Sequence, residues 1–471
     1  MSTPAPSSPP ASPPQLTLAR ELHTFGAVML GLGAMLGTGV FVSIGVAAGV
    51  AGPHVVWAIL LAACVAVCNA LSSAQLAAAH PVSGGTYEYG HLYLSPQLGF
   101  TAGWMFLCAK SASAATAALG FAGYLLHTLP PIPFLTAPLA STLAAFAATA
   151  LVLAGIKRTH NVNLIIVSIT ILSLLIFIVF STIGAAPLPA DLSELVPEPV
   201  RAPAFNLSGF LQGCALMFVA YTGYGRIATL GEEVHHPRQT IPRAIIITMA
   251  ISALLYVAVG LAAISAVGAE TLSAMTQRDA APLESVLRQL GHSAAARWVA
   301  LGAMTAMLGV FLNLILGLSR VLLAMGRRGE MPRVFARIHQ GIPRPAIFGI
   351  ALLILALIWI GDIRLTWSFS AFTVLVYYAI TNLAALRLPS DKRRYSPIFS
   401  VLGLAACLLL AFQVDPPVWA TGLGILLIGL IWQKCFTTRF PPPRGPGGHT
   451  GTSQGSRVDV PKTPPLKTNV P

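Results

Sequence analysis

The chain has 471 residues, 55% of them hydrophobic and only 9% charged, with a mean hydropathy of +0.75. A water-soluble domain dresses its surface with about 25% charged residues, so this composition excludes a soluble enzyme or binding module and makes lipid the solvent for most of the surface. The net charge of +13 does not indicate a nucleic-acid partner, because Lys and Arg sit in short connectors and tails between apolar runs rather than in one basic patch.

Residues 1–20 form a Pro/Ser-rich tail that lacks the charged start of a cleavable signal. Twelve apolar runs then approach the ~20 residues that cross a bilayer. They cover 25–50, 54–79, 97–128, 132–155, 161–184, 207–230, 243–267, 297–325, 345–361, 366–387, 397–413 and 416–435. Residues 80–96 read as a polar connector around Pro81, Gly84 and Gly85. The stretches 184–206 and 268–296 read as longer loops, the second holding a short helix. The tail 437–471 is rich in Pro, Gly and Thr from Pro441 onward and is expected to be disordered. With the N-terminus inside, cytoplasmic connectors hold thirteen Lys and Arg against five in outer ones. That bias predicts both termini in the cytoplasm of a multi-pass protein of the cell membrane. The six cysteines lie in or beside apolar runs without C-x-x-C spacing, so packing in the core is expected of them.

The first run contains Gly31, Gly33, Gly37 and Gly39, and each glycine inside a helix costs about 1 kcal/mol relative to alanine. Either the glycines admit a close neighbouring helix, for which Gly33 and Gly37 have the spacing, or the helix unwinds there. The sixth run, Phe218-Val-Ala-Tyr221-Thr-Gly223-Tyr-Gly225-Arg226, is again glycine-interrupted near mid-membrane. Runs one and six open successive blocks of five, and paired interruptions of this kind are the sequence pointer to an inverted-repeat transporter. An interrupted helix offers N–H groups to a carboxylate and C=O groups to an ammonium. An α-amino acid carries both.

Four motifs in order resemble those of the amino acid–polyamine–organocation (APC) superfamily of permeases. They are Gly33-Ala-Met-Leu-Gly-Thr-Gly-Val-Phe41; Pro81-Val-Ser-Gly-Gly-Thr-Tyr87-Glu-Tyr89; Phe218-Val-Ala-Tyr-Thr-Gly223, followed by Glu232-Glu233, Pro237, Pro242 and Arg243; and Arg320, Ala324-Met325, Arg327, Gly329 and Pro332. The resemblance covers about residues 20–435. It implies an all-α membrane protein of twelve transmembrane helices, in which residues 21–390 form a five-plus-five inverted-repeat (LeuT-like) core with discontinuous helices 1 and 6, and 391–436 add helices 11 and 12. It also implies secondary active transport of amino acids by alternating access, with polyamines, amines or cationic amino acids as the alternative cargo. By position, the N–H groups of Gly37, Thr38 and Gly39 would take the substrate carboxylate. Carbonyls of Met35 or Leu36, and of Phe218, Ala220 and Tyr221 beside Gly223, would take its ammonium. The rings of Phe218 and Tyr221 are candidates for gating or substrate contact, or for helix packing.

The departures concern coupling and charge. Thr170 stands where proton-coupled relatives often place a lysine, Ala109 where cationic-amino-acid relatives carry a glutamate, Arg328 in place of an aspartate, and Gly225 in place of an acidic residue. Neutral amino acids are therefore expected over cationic ones. No cofactor is implied beyond a coupling ion, a proton in preference to sodium.

Three basic residues fall inside runs and must face protein or water. Lys110 is a candidate for reversible protonation in coupling, for a structural pairing, or for direct substrate contact. Arg226 is a candidate gate residue, paired with Glu232 or Glu233 or with another acid. Arg320 would snorkel or latch its end shut. Thr170, Thr305 and Asn313 are thin as sodium ligands, and Glu232-x-x-His235 lacks the second cluster a metal site needs. The runs hold no catalytic arrangement for an intramembrane enzyme and no ring of charge for a channel; a transport-incompetent sensor on the same fold is the remaining alternative.

Overall fold

The computed structural model describes residues 22–81, 84–130, 132–154, 160–184, 205–228 and 234–439. Among them the regular structure is helical, with two isolated β-bridges and no strand.

The first run is broken, the second of the two readings its glycines allow. Helix α1 (Thr24–Met35) stops at Leu36, α2 (Thr38–Phe41) resumes one residue beyond Gly37, and α3 (Ser43–Ala51) follows. A 3-10 turn at Gly52–His54 leads into α4 (Val55–Ala79). Next come α5 (Thr86–Tyr93), α6 (Pro96–Thr128), α7 (Ala137–Leu153) and α8 (His160–Gly184). The sixth run is α9 (Leu207–Tyr221), a 3-10 turn at Thr222–Tyr224, and α10 (Gly225–Ala228). Then follow α11 (Pro237–Val267), α12 (Ala269–Asp279), α13 (Pro282–Gln289) and α14 (Ser293–Arg327). The chain closes with α15 (Arg344–Ile360), α16 (Ile363–Leu386), α17 (Pro397–Ala411) and α18 (Pro416–Arg439).

Among the described residues seven helical stretches are long and apolar enough to cross a membrane, one of them joining α3 to α4, and four further apolar helices are shorter. That joined stretch is a hairpin, not one rod. A Cβ built on Gly260 would lie 2.8 Å from Ile59 and 4.0 Å from Ile44, yet fifteen residues of unbroken helix rise about 22 Å. The chain reverses at Gly52, whose φ of +56° and ψ of −141° suit glycine alone. A methyl there would meet no atom within 4 Å, so Gly52→Ala isolates the backbone term. It is expected to cost about 1–3 kcal/mol in a detergent-denaturation titration while leaving ligand affinity unchanged.

Two connectors carry more helix than expected. The polar stretch 80–96 holds α5, launched by Gly85 at φ +58°; the glycine pair marks a turn into a helix rather than an open loop. The stretch 268–296 holds two helices, α12 and α13, where one was expected.

Apolar residues cover the outside of the bundle as well as its core, among them Trp57, Leu254, Leu352 and Ile360. The cysteines divide accordingly. Cys214 and Cys407 are buried, but Cys64 and Cys435 are exposed on the outer face, contrary to core packing. In a bilayer the lipid-facing surface is as apolar as the interior, so a residue's polarity does not tell the two apart.

Polar groups knit the interior. Ser113 meets Ser370 at 2.7 Å, Thr116 donates to Thr366 at 2.8 Å, and both bonds join α6 to α16. Asn382 of α16 and Cys407 of α17 both bond to Asn69 of α4.

Candidate functional site

The two interruptions meet. A Cβ on Gly223 would stand 2.4 Å from Met35 Cγ and 2.6 Å from the Ala34 carbonyl oxygen, and one on Gly39 would stand 2.6 Å from Ala220 Cβ. The breaks differ in form. At the first, Leu36 and Gly37 are extended, and the first backbone donors to close bonds beyond it are Val40 and Phe41, both onto the Gly37 carbonyl. At the second the helix tightens into a 3-10 turn instead of unwinding, held by the Thr222 hydroxyl donating to the Val219 carbonyl at 2.7 Å.

Tyr256 of α11 ties the breaks together. Its hydroxyl donates to the Met35 carbonyl at 2.7 Å and lies 3.1 Å from that of Ala220. Both are carbonyls that the family resemblance assigns to a substrate ammonium, and here one tyrosine hydroxyl faces the pair. Tyr256 carries no sequence signal of this role, which depends on how α11 packs.

Between the breaks lies a small cavity of about 40 Å³, lined by Ala34, Met35, Thr38, Gly39, Lys110, Ser113, Val219, Ala220, Thr222, Gly223, Val310, Leu314 and Trp367. Met35, Thr38, Gly39, Ala220, Gly223 and Lys110 are thus brought together. Leu36, Gly37, Phe218 and Tyr221 do not line it. The Phe218 ring packs edge-on against Tyr378 at 5.7 Å, and the Tyr221 ring lies 4.9 Å from Tyr256. Trp367, unmarked in the sequence, supplies the cavity's aromatic wall and donates to the Leu216 carbonyl at 2.9 Å.

Lys110 is 8% exposed and donates to the Thr222 hydroxyl at 2.8 Å. Thr170 lies outside this cavity, its hydroxyl donating to Ile166 in its own helix at 2.7 Å. Thr305 likewise bonds to Leu301 and Gly302 of its own helix. Asn313 lines a different hollow, so these three do not assemble a sodium shell.

That hollow, about 510 Å³, shares Ala34, Lys110, Thr222, Gly223, Val310 and Leu314 with the small cavity and runs to the end of the bundle where α14 finishes. Arg226, Arg320, Arg327 and Arg328 line it, with Glu88 as the one acidic residue among those described. The expected partners of Arg226, Glu232 and Glu233, lie outside the described residues, as does Lys157-Arg158. At the opposite end a hollow of about 750 Å³ is bordered by Gly49, His127, Asp279 and Arg364. One to two helical turns of packed chain seal it from the cavity: buried Phe41, the Thr116–Thr366 bond, and Tyr124 donating to the Phe41 carbonyl at 2.9 Å. The site is open at the arginine-lined end and shut at the other.

Two of the four motifs meet beside the open end. Tyr87 donates to Glu330 Oε2 at 2.6 Å, His91 Nε2 lies 2.8 Å from Oε1, and Arg328 pairs with Glu88 while its guanidinium sits 5.2 Å from the Tyr87 ring centre. His91 Nδ1 faces the Tyr87 carbonyl at 2.8 Å, which can only accept, so Nδ1 carries a hydrogen and the Nε2–Oε1 contact holds one further proton. Glu330→Gln can satisfy Tyr87 and a neutral His91 and is expected to retain most stability. Glu330→Ala orphans both and is expected to lose roughly 3 kcal/mol, read in the same denaturation titration.

The chain is similar to known transporters along most of its length. The family model "Amino acid permease" matches residues 26–443. An uncharacterized transporter of Mycobacterium tuberculosis is 38% identical over 415 residues, spanning 88% of this chain and 90% of the relative. A branched-chain amino acid permease of Bacillus subtilis is 26% identical over 88% of this chain and 92% of its own length. Cationic amino acid transporter 4 of Mus musculus is 30% identical over 83% of this chain and 64% of its own. Together these matches define a multi-pass membrane transporter, not an enzyme. The chain belongs to the amino acid permease family of the APC superfamily.

Proposed function

We propose that this protein is a secondary active transporter that carries neutral α-amino acids across the cell membrane by alternating access, coupled to protons. The observation that carries the proposal is the meeting of two interrupted helices, at Gly37 and Gly223, on one buried cavity open to a single end of the bundle. Backbone of this kind is tolerated at membrane depth where it lines a cavity.

The twelve-span arrangement has physical support. The reversal at Gly52 divides the longest apolar stretch into two passes. Counting each interrupted helix once, with the shorter apolar helices α7, α15 and α17, gives twelve. The excess of Lys and Arg in the connectors at the open end favours an inward-facing state with both termini cytoplasmic. In the substrate complex, the N–H groups of Gly37, Thr38 and Gly39 take the carboxylate, and the Met35 and Ala220 carbonyls exchange the Tyr256 hydroxyl for the substrate ammonium.

Neutral cargo is favoured over cationic because Lys110 is the charged group among the described residues of the cavity. A second ammonium or a guanidinium would meet its repulsion there. We assign coupling to reversible protonation of Lys110 rather than to Thr170, whose hydroxyl is engaged in its own helix.

Exchange of labelled leucine and of labelled lysine in proteoliposomes tests the proposal: saturable leucine exchange without conductance is expected, and preference for lysine would overturn the neutral assignment. Lys110→Ala is expected to keep some exchange at a raised KM and to lose its acceleration by an inward proton gradient. An unchanged proton dependence removes Lys110 from coupling.

A further inference from the structure

We infer that Lys110 and the hydroxyl of Thr38 form a subsite for the substrate's carboxylate, which makes the central cavity specific for carboxylate-bearing ligands and closes it to simple amines. This deepens the permease proposal and rests on it.

The observations are a buried cation and an unpartnered hydroxyl on a wall that offers no carboxylate among the described residues. The Lys110 ammonium has three N–H groups, and its one hydrogen bond runs to Thr222 Oγ1. The Thr38 hydroxyl, 4% exposed on the same cavity, has no partner. Among the described residues no acidic one lines that cavity, whose other walls are mostly Ala34, Met35, Val219, Ala220, Val310, Leu314 and Trp367. A buried ammonium costs several kcal/mol unless an anion accompanies it, and a buried hydroxyl without a partner adds to the deficit. Both groups belong to the wall of a cavity that opens to solvent, so the compensating anion comes from the ligand.

Arg327 borders the larger hollow, and its Glu88 is paired with Arg328, so the charge nearest the ligand is that of Lys110 itself. Backbone N–H groups alone would prefer a carboxylate weakly, as dipoles; a full charge beside them makes the preference strong. Lys110 is therefore a specificity residue that touches the substrate, beyond its part in coupling.

The test is a thermodynamic cycle between protein and ligand. Binding of L-leucine and of leucinamide is measured on purified full-length wild type, Lys110→Met, Lys110→Arg and Thr38→Val. The wild-type preference for the acid over the amide is expected to fall by about tenfold or more in Lys110→Met. It should fall less in Thr38→Val and be partly restored in Lys110→Arg. Equal weakening of both ligands in Lys110→Met overturns the subsite, because a structural lysine would not distinguish them. Should that variant fail to fold, the wild-type complex with leucine decides. A carboxylate oxygen within hydrogen-bond distance of Nζ supports the inference, and a separation beyond about 4 Å overturns it. Leucine binding with an unchanged preference removes this subsite alone. Absence of binding by leucine and by every other standard amino acid removes the permease proposal with it.

Discussion

Gly223→Ala is expected to lower transport by about 100-fold or more while leaving the protein inserted and folded. The added methyl would fall 2.4 Å from Met35 Cγ, which is flexible, and 2.6–2.7 Å from the carbonyl carbon and oxygen of Ala34, which are not. The two interruptions would have to move apart by several tenths of an ångström at the place where the ligand's charged groups converge. Helix propensity works in the opposite direction, since alanine favours helix by about 1 kcal/mol. Stability is thus expected to fall only modestly, by about 1–2 kcal/mol, and activity to collapse. Transport at wild-type rate in Gly223→Ala would mean that the contact between the breaks is not needed for function. A comparable loss in stability would mean that the glycine serves packing alone.

Tyr256→Phe is expected to separate affinity from turnover. Removing the hydroxyl leaves the Met35 and Ala220 carbonyls without their partner, at a cost of about 1–3 kcal/mol to the empty protein. The ring keeps its place beside Tyr221, so the fold survives. A substrate ammonium resupplies the missing donor, and the bound state is spared the cost. The apparent KM for leucine should therefore fall by about fivefold to tenfold, with slower release and a lower maximal rate. Reduced stability with an unchanged KM would assign Tyr256 to packing and detach those carbonyls from the substrate.

The interrupted helices were legible because glycine leaves a composition signal: Gly37 and Gly223 sit in apolar runs where no other feature explains them. Lys110 was legible for a related reason, as a charge where lipid or core would punish one. The side chains that complete the cavity were not. Trp367 and Tyr256 lie in ordinary apolar stretches of α16 and α11, and their roles arise only from which helix each faces. Phe218 and Tyr221 illustrate the converse. They flank the second break in sequence, but the rings turn into the packing around Tyr378 and Tyr256, because aromatic identity does not fix direction in a helix surrounded by apolar neighbours. The tightening at Thr222–Tyr224 was also hidden, since it depends on the threonine hydroxyl bonding back to Val219. Helix α5 was missed because Gly84 and Gly85 signal a turn, and nothing before folding shows that Tyr87 and His91 find Glu330.

Accessibility of one engineered thiol tests the central claim most directly. Ala34 lines both the small cavity and the arginine-bordered hollow. In a background lacking the six native cysteines, Ala34→Cys should react with an anionic methanethiosulfonate faster than with a cationic one, from the arginine-lined side of the membrane, and the transported amino acid should protect it. A thiol that is inert from both sides, or whose labelling no amino acid slows, would contradict a shared, solvent-reached binding cavity between the two breaks.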